Sequence, residues 1–464
     1  MKKISVFLFS GMLFSSLFMH AIAQDSNSTQ SSLIQTPVEN NDNTQSMIVN
    51  TPVRNSDSTQ SKIKLSGFGY YMFGQIEHGM YGDDYTDGSS FSHLWVSTSL
   101  IHLNVTSDAT DWFTAKLGLE MYADFPLKGS NAMDKSSYFR NYKSYLASAE
   151  GIMHWNFDNS IISSLVVESG LFPYTINPEV KTLGNYLYRS TVHPVSVQNK
   201  VDYPWADLLG VRAEAGLMED KVKIAAFLTS EFTYVPFFDF TPAFSVSYAP
   251  NKVIDVAGAI AFYHAIQADC ALLSDSIGQK WQGTKIDARV IFDPKPLFGG
   301  LGCMGSEECK IYSEIAILGL KDTVEVDTSG IGALGVKFPE NSLWHRIPFM
   351  IGFNVPTFKI LNGFAVELEW FNSPYANDWY GLYSQQSSSA RQPSTAEQWN
   401  NYINDDNFKW SIHLDKVVGK FEVRSIIGSD HTVYKLSTQS TGNFEQTMKR
   451  KGDWQWLVEF RYNL

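Results

Sequence analysis

From Ile63 to the end of the chain, apolar and polar residues alternate one for one in short runs. Ile101, Leu103 and Val105 alternate with His102 and Asn104. After the polar run Ser107–Asp111, Phe113, Ala115, Leu117, Leu119 and Met121 alternate with Thr114, Lys116, Gly118 and Glu120. A β-strand turns successive side chains to opposite faces, so this pattern predicts two half-apolar strands joined by a tight turn. The unit recurs around Met218-Glu219-Asp220, around Pro250-Asn251-Lys252, near Lys359 and around Val418-Gly419-Lys420. Collected along the chain, the alternation predicts sixteen strands, at 62–77, 92–105, 112–122, 144–157, 161–171, 207–217, 221–231, 239–249, 253–265, 283–293, 310–321, 346–356, 362–371, 408–416, 419–428 and 452–464.

The connections fall into two kinds. Those after the even-numbered strands are mostly short turns. Those after the odd-numbered strands are longer and polar, such as 372–407 with its run Ser384-Gln385-Gln386-Ser387-Ser388-Ser389. Two depart from the rule: 232–238 is short and 294–309 is long. An even strand count with short turns at one end and long loops at the other predicts an all-β fold, a transmembrane antiparallel β-barrel with periplasmic turns and extracellular loops.

The polar face of the strands carries charge: Lys116, Glu120, Arg212, Glu214, Lys285, Asp287, Arg289, Glu314, Glu367, Glu369, Glu422, Arg424, Glu459 and Arg461. The apolar face carries almost none in mid-strand. A soluble sandwich with one wet face would also alternate. Two features favour lipid. Trp95, Trp112, Trp155, Phe157, Trp370, Trp410 and Trp454 cluster where strands meet connections, as interfacial girdles do. The chain also ends in a strand, with Trp454, Trp456, Val458, Phe460, Tyr462 and Leu464 alternating with mostly polar residues.

Composition narrows the picture further. The 464 residues include 36 Lys+Arg against 48 Asp+Glu, a net charge of −12. That balance argues against a nucleic-acid partner, which needs clustered cations. A mean hydropathy of −0.16 excludes a polytopic helical membrane protein but not a barrel. Met1-Lys2-Lys3, the apolar run Ile4–Met19 and Ala21-Ile22-Ala23 read as a signal peptide over residues 1–23. Residues 24–61 are rich in Ser, Thr, Asn and Gln. Ser28-Thr29-Gln30-Ser31, Asn43-Thr44-Gln45-Ser46 and Ser58-Thr59-Gln60-Ser61 recur there every 15 residues. Such a segment buries too little apolar surface to offset ordering entropy, and reads as a disordered tether preceding a barrel over 62–464.

Signal peptide, sixteen alternating strands, unequal connections and an aromatic terminal strand together resemble bacterial outer-membrane porins. The terminal strand is similar to the signal read by the barrel-assembly machinery, though it ends in Leu464 where Phe or Trp is usual. The resemblance implies the outer membrane of a Gram-negative bacterium, contact with outer-membrane lipid, and a water-filled channel for passive diffusion of small hydrophilic solutes or ions. It also implies a homotrimer. In such porins the third extracellular loop folds into the lumen. By position that loop is 172–206, with Tyr174, Asn177, Glu179, Lys181, Arg189 and His193 as constriction residues and a helical turn expected over Leu183–Tyr188. The alternative is a loop lying on the outer surface. The facing lumen wall is Lys116, Arg212, Glu214, Arg289, Glu367, Glu369 and Arg424. The mixed signs predict little ion preference or a weak cation preference.

Other constellations carry less. Cys303 and Cys309 are close in sequence on a long periplasmic connection, so export makes a disulfide the expectation; their spacing matches no metal motif. Gly82–Gly88 is acidic but lacks the Glu that a calcium loop of the EF-hand type needs. His154 and Ser164 have no third partner, so no catalytic residue, enzyme activity, metal or cofactor is expected. The competing functional class is a barrel that only anchors long loops. Segments such as Trp379-Tyr380-Gly381-Leu382-Tyr383 would then bind a polymer or a host surface.

Overall fold

The computed structural model describes residues 62–81, 89–124, 142–158, 161–188, 206–230, 239–263, 265–266, 283–299, 304–320, 343–371, 407–435, 444–448 and 450–464. The expected signal peptide (1–23), the tether (24–61) and the acidic run Gly82–Gly88 lie outside them. Eighteen strands are described: β1 (Lys62–Tyr81), β2 (Ser89–Thr110), β3 (Phe113–Asp124), β4 (Tyr142–Asn156), β5 (Ile162–Tyr174), β6 (Ala206–Leu217), β7 (Val222–Ser230), β8 (Phe240–Tyr248), β9 (Ile254–Tyr263), β10 (Gly283–Phe292), β11 (Ile311–Ile317), β12 (Pro348–Asn354), β13 (Gly363–Phe371), β14 (Phe408–Val418), β15 (Phe421–Ser429), β16 (Val433–Lys435), β17 (Phe444–Gln446) and β18 (Trp454–Asn463).

Sixteen of these, β1–β15 and β18, close into one antiparallel barrel, with β1 paired to β18. Closure leaves no strand of the sheet as a permanent edge, which is the only way a sheet satisfies its backbone in hydrocarbon. The closing seam is register-locked, with Tyr70 opposite Arg461 and Phe73 opposite Val458. Leu464 N–H then donates to Gly67 O at 2.9 Å. β16 and β17 form a separate hairpin within the connection from β15 to β18.

The strands follow the alternation closely, with one informative excess. β1 runs on to Tyr81 and β2 to Thr110, past the expected 77 and 105. The β1–β2 hairpin pairs with itself from Gly79–Phe91 to Tyr81–Ser89, above the last β18 and β3 partners. Ser-rich stretches carry no apolar alternation, but backbone pairing is indifferent to that.

Burial along the strands is inverted relative to a soluble protein. In β12, Phe349, Ile351 and Phe353 face outward and exposed, while Met350 between them is fully buried. In β10, Val290 is exposed while Lys285, Asp287 and Arg289 are buried. Ile101, Leu119, Val211, Ile224, Phe244, Val246, Ile315, Leu368, Val423 and Phe460 complete an apolar outer surface around the circumference. Exposed in water, that surface would cost about 25 cal/mol per Å²; against acyl chains the cost vanishes. The charges inside are offset across strands. Lys116 sits opposite Glu150, Glu168 opposite Arg212, Arg289 opposite Glu314, and Glu422 opposite Arg461.

A lipid-facing charge should therefore be far more damaging than the loss of a lumen charge of one sign. Ile351→Arg, in mid-strand, is expected to lower the unfolding free energy in lipid vesicles by about 2–4 kcal/mol, read from urea titration of the folded barrel. A neutral result would show that this face does not meet hydrocarbon.

Candidate functional site: the barrel interior

The segment after β5 turns inward. From Thr175 to Tyr188 it is almost wholly buried, with Val180, Leu183, Tyr186 and Tyr188 inaccessible. The expected helical turn over Leu183–Tyr188 is not formed as a helix; bends at 181–183 lead to a hydrogen-bonded turn at Tyr186–Tyr188. Gly184 (φ 81°) and Asn185 (φ 58°) are both left-handed, which interrupts any helical run. At Gly184 a Cβ would lie 3.0 Å from Glu314 Oε2, so the glycine also permits close approach to the wall.

Two features of the wall receive this loop. Along β7–β9 four inward positions are methyl-sized: Ala225, Ala243, Ala259 and Ala261 share a buried cluster with Phe172, Ile176, Leu187 and Tyr188, and with Phe227 of β7. Methyl-sized side chains on three adjacent strands leave the volume that these larger groups fill. Along β10–β13 the wall is a strip of carboxylates. Glu367 accepts the backbone N–H groups of Lys181 (2.6 Å), Thr182 (3.0 Å) and Leu183 (3.0 Å). Glu314 accepts Tyr186 N–H at 2.7 Å, and Asp287 accepts Leu187 N–H at 3.1 Å. Glu369 accepts the Tyr186 hydroxyl at 3.0 Å. The loop has no strand partner for these amides; the carboxylates supply the acceptors a buried backbone requires.

Glu367 is itself oriented by the Tyr312 hydroxyl at 2.9 Å. Gly352 on β12 makes room for that ring, since a Cβ there would sit 2.1 Å from it. Thr182 Oγ1 is 3.0 Å from Ser411 Oγ and 3.2 Å from His413 Nε2, tying the loop to β14 as well. At the short-turn end, Glu179 meets Lys310 at 2.8 Å, and Lys310 also meets Glu307 at 2.8 Å. Burial opposes the Lys310 charge, but the two carboxylates outweigh it and hold the ammonium above the ordinary lysine range. Burial also pushes the Tyr186 and Tyr188 phenols well above their usual range, Glu369 adding to the first and Tyr174 to the second.

The expected site residues are thus distributed as follows. Asn177 is buried and its Oδ1 accepts Glu179 N–H at 3.3 Å; Glu179 and Lys181 join the loop to the wall as described. Tyr174 packs edge-on against Tyr188 and Phe227, with the Arg212 guanidinium 5.2 Å over its ring. Arg212 bridges Glu168 (3.0 Å) and Glu214 (2.6 Å), Lys116 pairs with Glu150 (3.2 Å), Arg289 with Asp255 (3.0 Å) and Arg424 with Glu422 (2.6 Å). Arg189 and His193 lie outside the described residues. Cys309 carries a free thiol, 3.5 Å from Met304 Sδ, and its expected partner Cys303 lies outside the described residues. Ser164 donates to Asp220 Oδ1 at 2.8 Å, and the register places Ser164 opposite Asn156 and not opposite His154.

Asp287 and Glu314 stood in the sequence only as charges on a polar face, and nothing in the alternation marked them as loop anchors. The connection from β15 to β18 was missed too. Asp430, His431, Thr432, Thr447 and Met448 are buried, and Met448 packs with Tyr70, Met72, Ile76 and Leu457 inside the wall.

No protein-family model matches the chain, and no curated protein matches its sequence. Among solved structures, two engineered mutants of the Rh. blastica porin align with 87% of this chain and 100% of their own, at 10% identity and a TM-score of 0.43. A third, a triple mutant of the Rhodopseudomonas blastica porin, aligns over the same shares at 9% identity and a TM-score of 0.41.

Removing the Glu367 carboxylate orphans three loop amides, at about 1–3 kcal/mol for each group left unsatisfied. Glu367→Ala should raise amide hydrogen exchange at 181–183 by at least about tenfold while strand amides stay protected; unchanged exchange would mean that packing alone holds the loop. A second expectation concerns acid. At the short-turn end Glu308 accepts Lys359 N–H (2.9 Å) and the Thr357 hydroxyl (2.8 Å). Burial would raise its pKa, but these bonds outweigh burial and hold it below the ordinary glutamate value of 4.5. A folded-state pKa below the unfolded one means that the stabilisation is complete above about pH 4.5 and is lost as pH falls through the folded value. Glu308→Gln should flatten this part of the acid denaturation curve.

Proposed function

We propose that the chain is an outer-membrane porin of a Gram-negative bacterium, exported by its signal peptide and inserted by the barrel-assembly machinery. It forms a water-filled channel for passive diffusion of small hydrophilic solutes or ions. The observation that carries this reading is the inversion of the barrel: an apolar exterior around a charged interior into which one loop, 175–188, is folded. A wall lined with ionised groups is stable only where water or counter-charges reach it, and a barrel of about sixteen strands is wide enough to hold water.

On this reading the loop is the constriction. It narrows the lumen from the β5–β14 side, and Lys116, Arg212, Glu214 and Arg424 of the wall retain partial exposure. Cations and carboxylates alternate there and neutralise one another in pairs, so no ring of one sign acts on a passing ion. Discrimination by size should dominate that by charge, with little ion preference or a weak one for cations. Homotrimer formation belongs to the same reading.

The test is single-channel recording of the purified protein in a planar bilayer. Stepwise conductance is expected, and replacing 178–188 by a short Gly-Ser linker should raise the unit conductance. Persistent silence of the correctly folded protein would favour a barrel that only anchors its loops.

A further inference from the structure

We propose that the described parts of the connection from β15 to β18, residues 430–435 and 444–448, form a second inward arm of the channel, and that Glu369 is the positioning residue that holds this arm and the loop after β5 in one joint arrangement. The inference rests on the channel reading above.

Glu369 stands on β13, facing inward, with a side chain closed to solvent. Its two oxygens serve two different segments. Oε2 accepts the hydroxyl of Tyr186, from the loop after β5, at 3.0 Å. Oε1 lies 2.7 Å from Nε2 of His431, from the connection after β15. These segments are separated in sequence by the whole of β6–β15, and they meet on one carboxylate.

The second segment is fastened inward at both ends. At its start, Asp430 Oδ1 accepts Gln455 Nε2 at 2.9 Å and Thr432 N–H at 3.0 Å, fixing the turn that delivers His431. At its end, the Lys409 ammonium donates to Met448 O. Lys409 is the cross-strand neighbour of Glu369, so the two ends of the arm are held by adjacent positions of β13 and β14. Between them, β16 pairs antiparallel with β17, Val433 opposite Gln446 and Lys435 opposite Phe444. The apolar side of the attachment is Met448, seated among Tyr70, Met72, Val96, Leu100 and Leu457. The two loops thus occupy adjoining sectors of the interior, β5–β14 for the first and β13–β2 through the closing seam for the second, and they meet over β13 and β14.

A carboxylate sealed from water gains most of its stabilisation from its donors. The two donors share one acceptor group, so displacing either changes the carboxylate presented to the other, and the two contacts should reinforce each other rather than add. Displacing His431 should therefore loosen Tyr186, and with it the loop that narrows the lumen.

The experiment uses the full-length protein with His431→Ala, Tyr186→Phe, the double variant, each of these in a Glu369→Gln background, and His431→Gln, which keeps a side-chain donor. Two readouts are taken: hydrogen exchange at 181–188, and unit conductance in planar bilayers. His431→Ala should accelerate exchange at 181–188 by about tenfold, the equivalent of about 1.4 kcal/mol, and raise conductance; His431→Gln should restore most of both. The double variant should fall short of the product of the single effects, and the effect of either should shrink in the Glu369→Gln background. Unchanged exchange at 181–188 in His431→Ala, or independent effects that persist without the Glu369 carboxylate, would overturn the proposal. A wild-type protein silent in the bilayer would sink the channel reading alone, because the exchange measurement still reports the joint.

Discussion

A polypeptide that crosses hydrocarbon must find a partner for every main-chain N–H and C=O without help from water. In this chain that demand is met by sixteen strands sewn edge to edge, and the other features follow from the closure. Closing the sheet creates an inside and an outside of opposite character, assigns alternate residues to each, and returns the last strand to the first at the register that places Tyr70 beside Arg461. The oily exterior is then a requirement of the solvent it faces, and the ion pairs within are what remains for the other half of each strand.

The same demand reappears inside, in a different form. A loop folded into the lumen has no ladder to join, yet its amides are as poorly hydrated as those of a strand. Wall carboxylates take the place of the missing strand. Three amides on Glu367 and one each on Glu314 and Asp287 give the loop a set of charge-assisted bonds. The alanines of β7–β9 do the complementary work of volume, clearing space for Phe172 and Tyr188 where no charge is needed. Polarity on one side and smallness on the other define where the loop lies.

Much of the barrel was legible because period-two alternation is a direct imprint of a two-faced sheet. Val290 beside Arg289, or Leu368 beside Glu369, states the assignment of faces without any coordinates. The inward course of the third long connection was anticipated only by family resemblance. Its anchors were not readable, because the alternation shows that Glu314 and Glu367 face inward but not what meets them there. The same limit hid the connection from β15 to β18: Asp430, His431 and Met448 lie in a polar loop whose sequence gives no sign of burial. Pattern reports the environment of regular structure, whereas a loop's environment is set by partners that are distant in sequence.

The wall grips the loop by its peptide groups more than by its side chains, and a carboxylate receiving N–H groups is largely blind to which residues carry them. Lys181, Thr182 and Leu183 are held in the same way although one is cationic, one hydroxylic and one aliphatic. On the channel reading, the partly exposed Lys181 can change without disturbing the clasp, whereas Leu183, sealed from solvent, is fixed by its packing. Were the barrel a channel, what it admits could be altered at such positions over a scaffold that stays put.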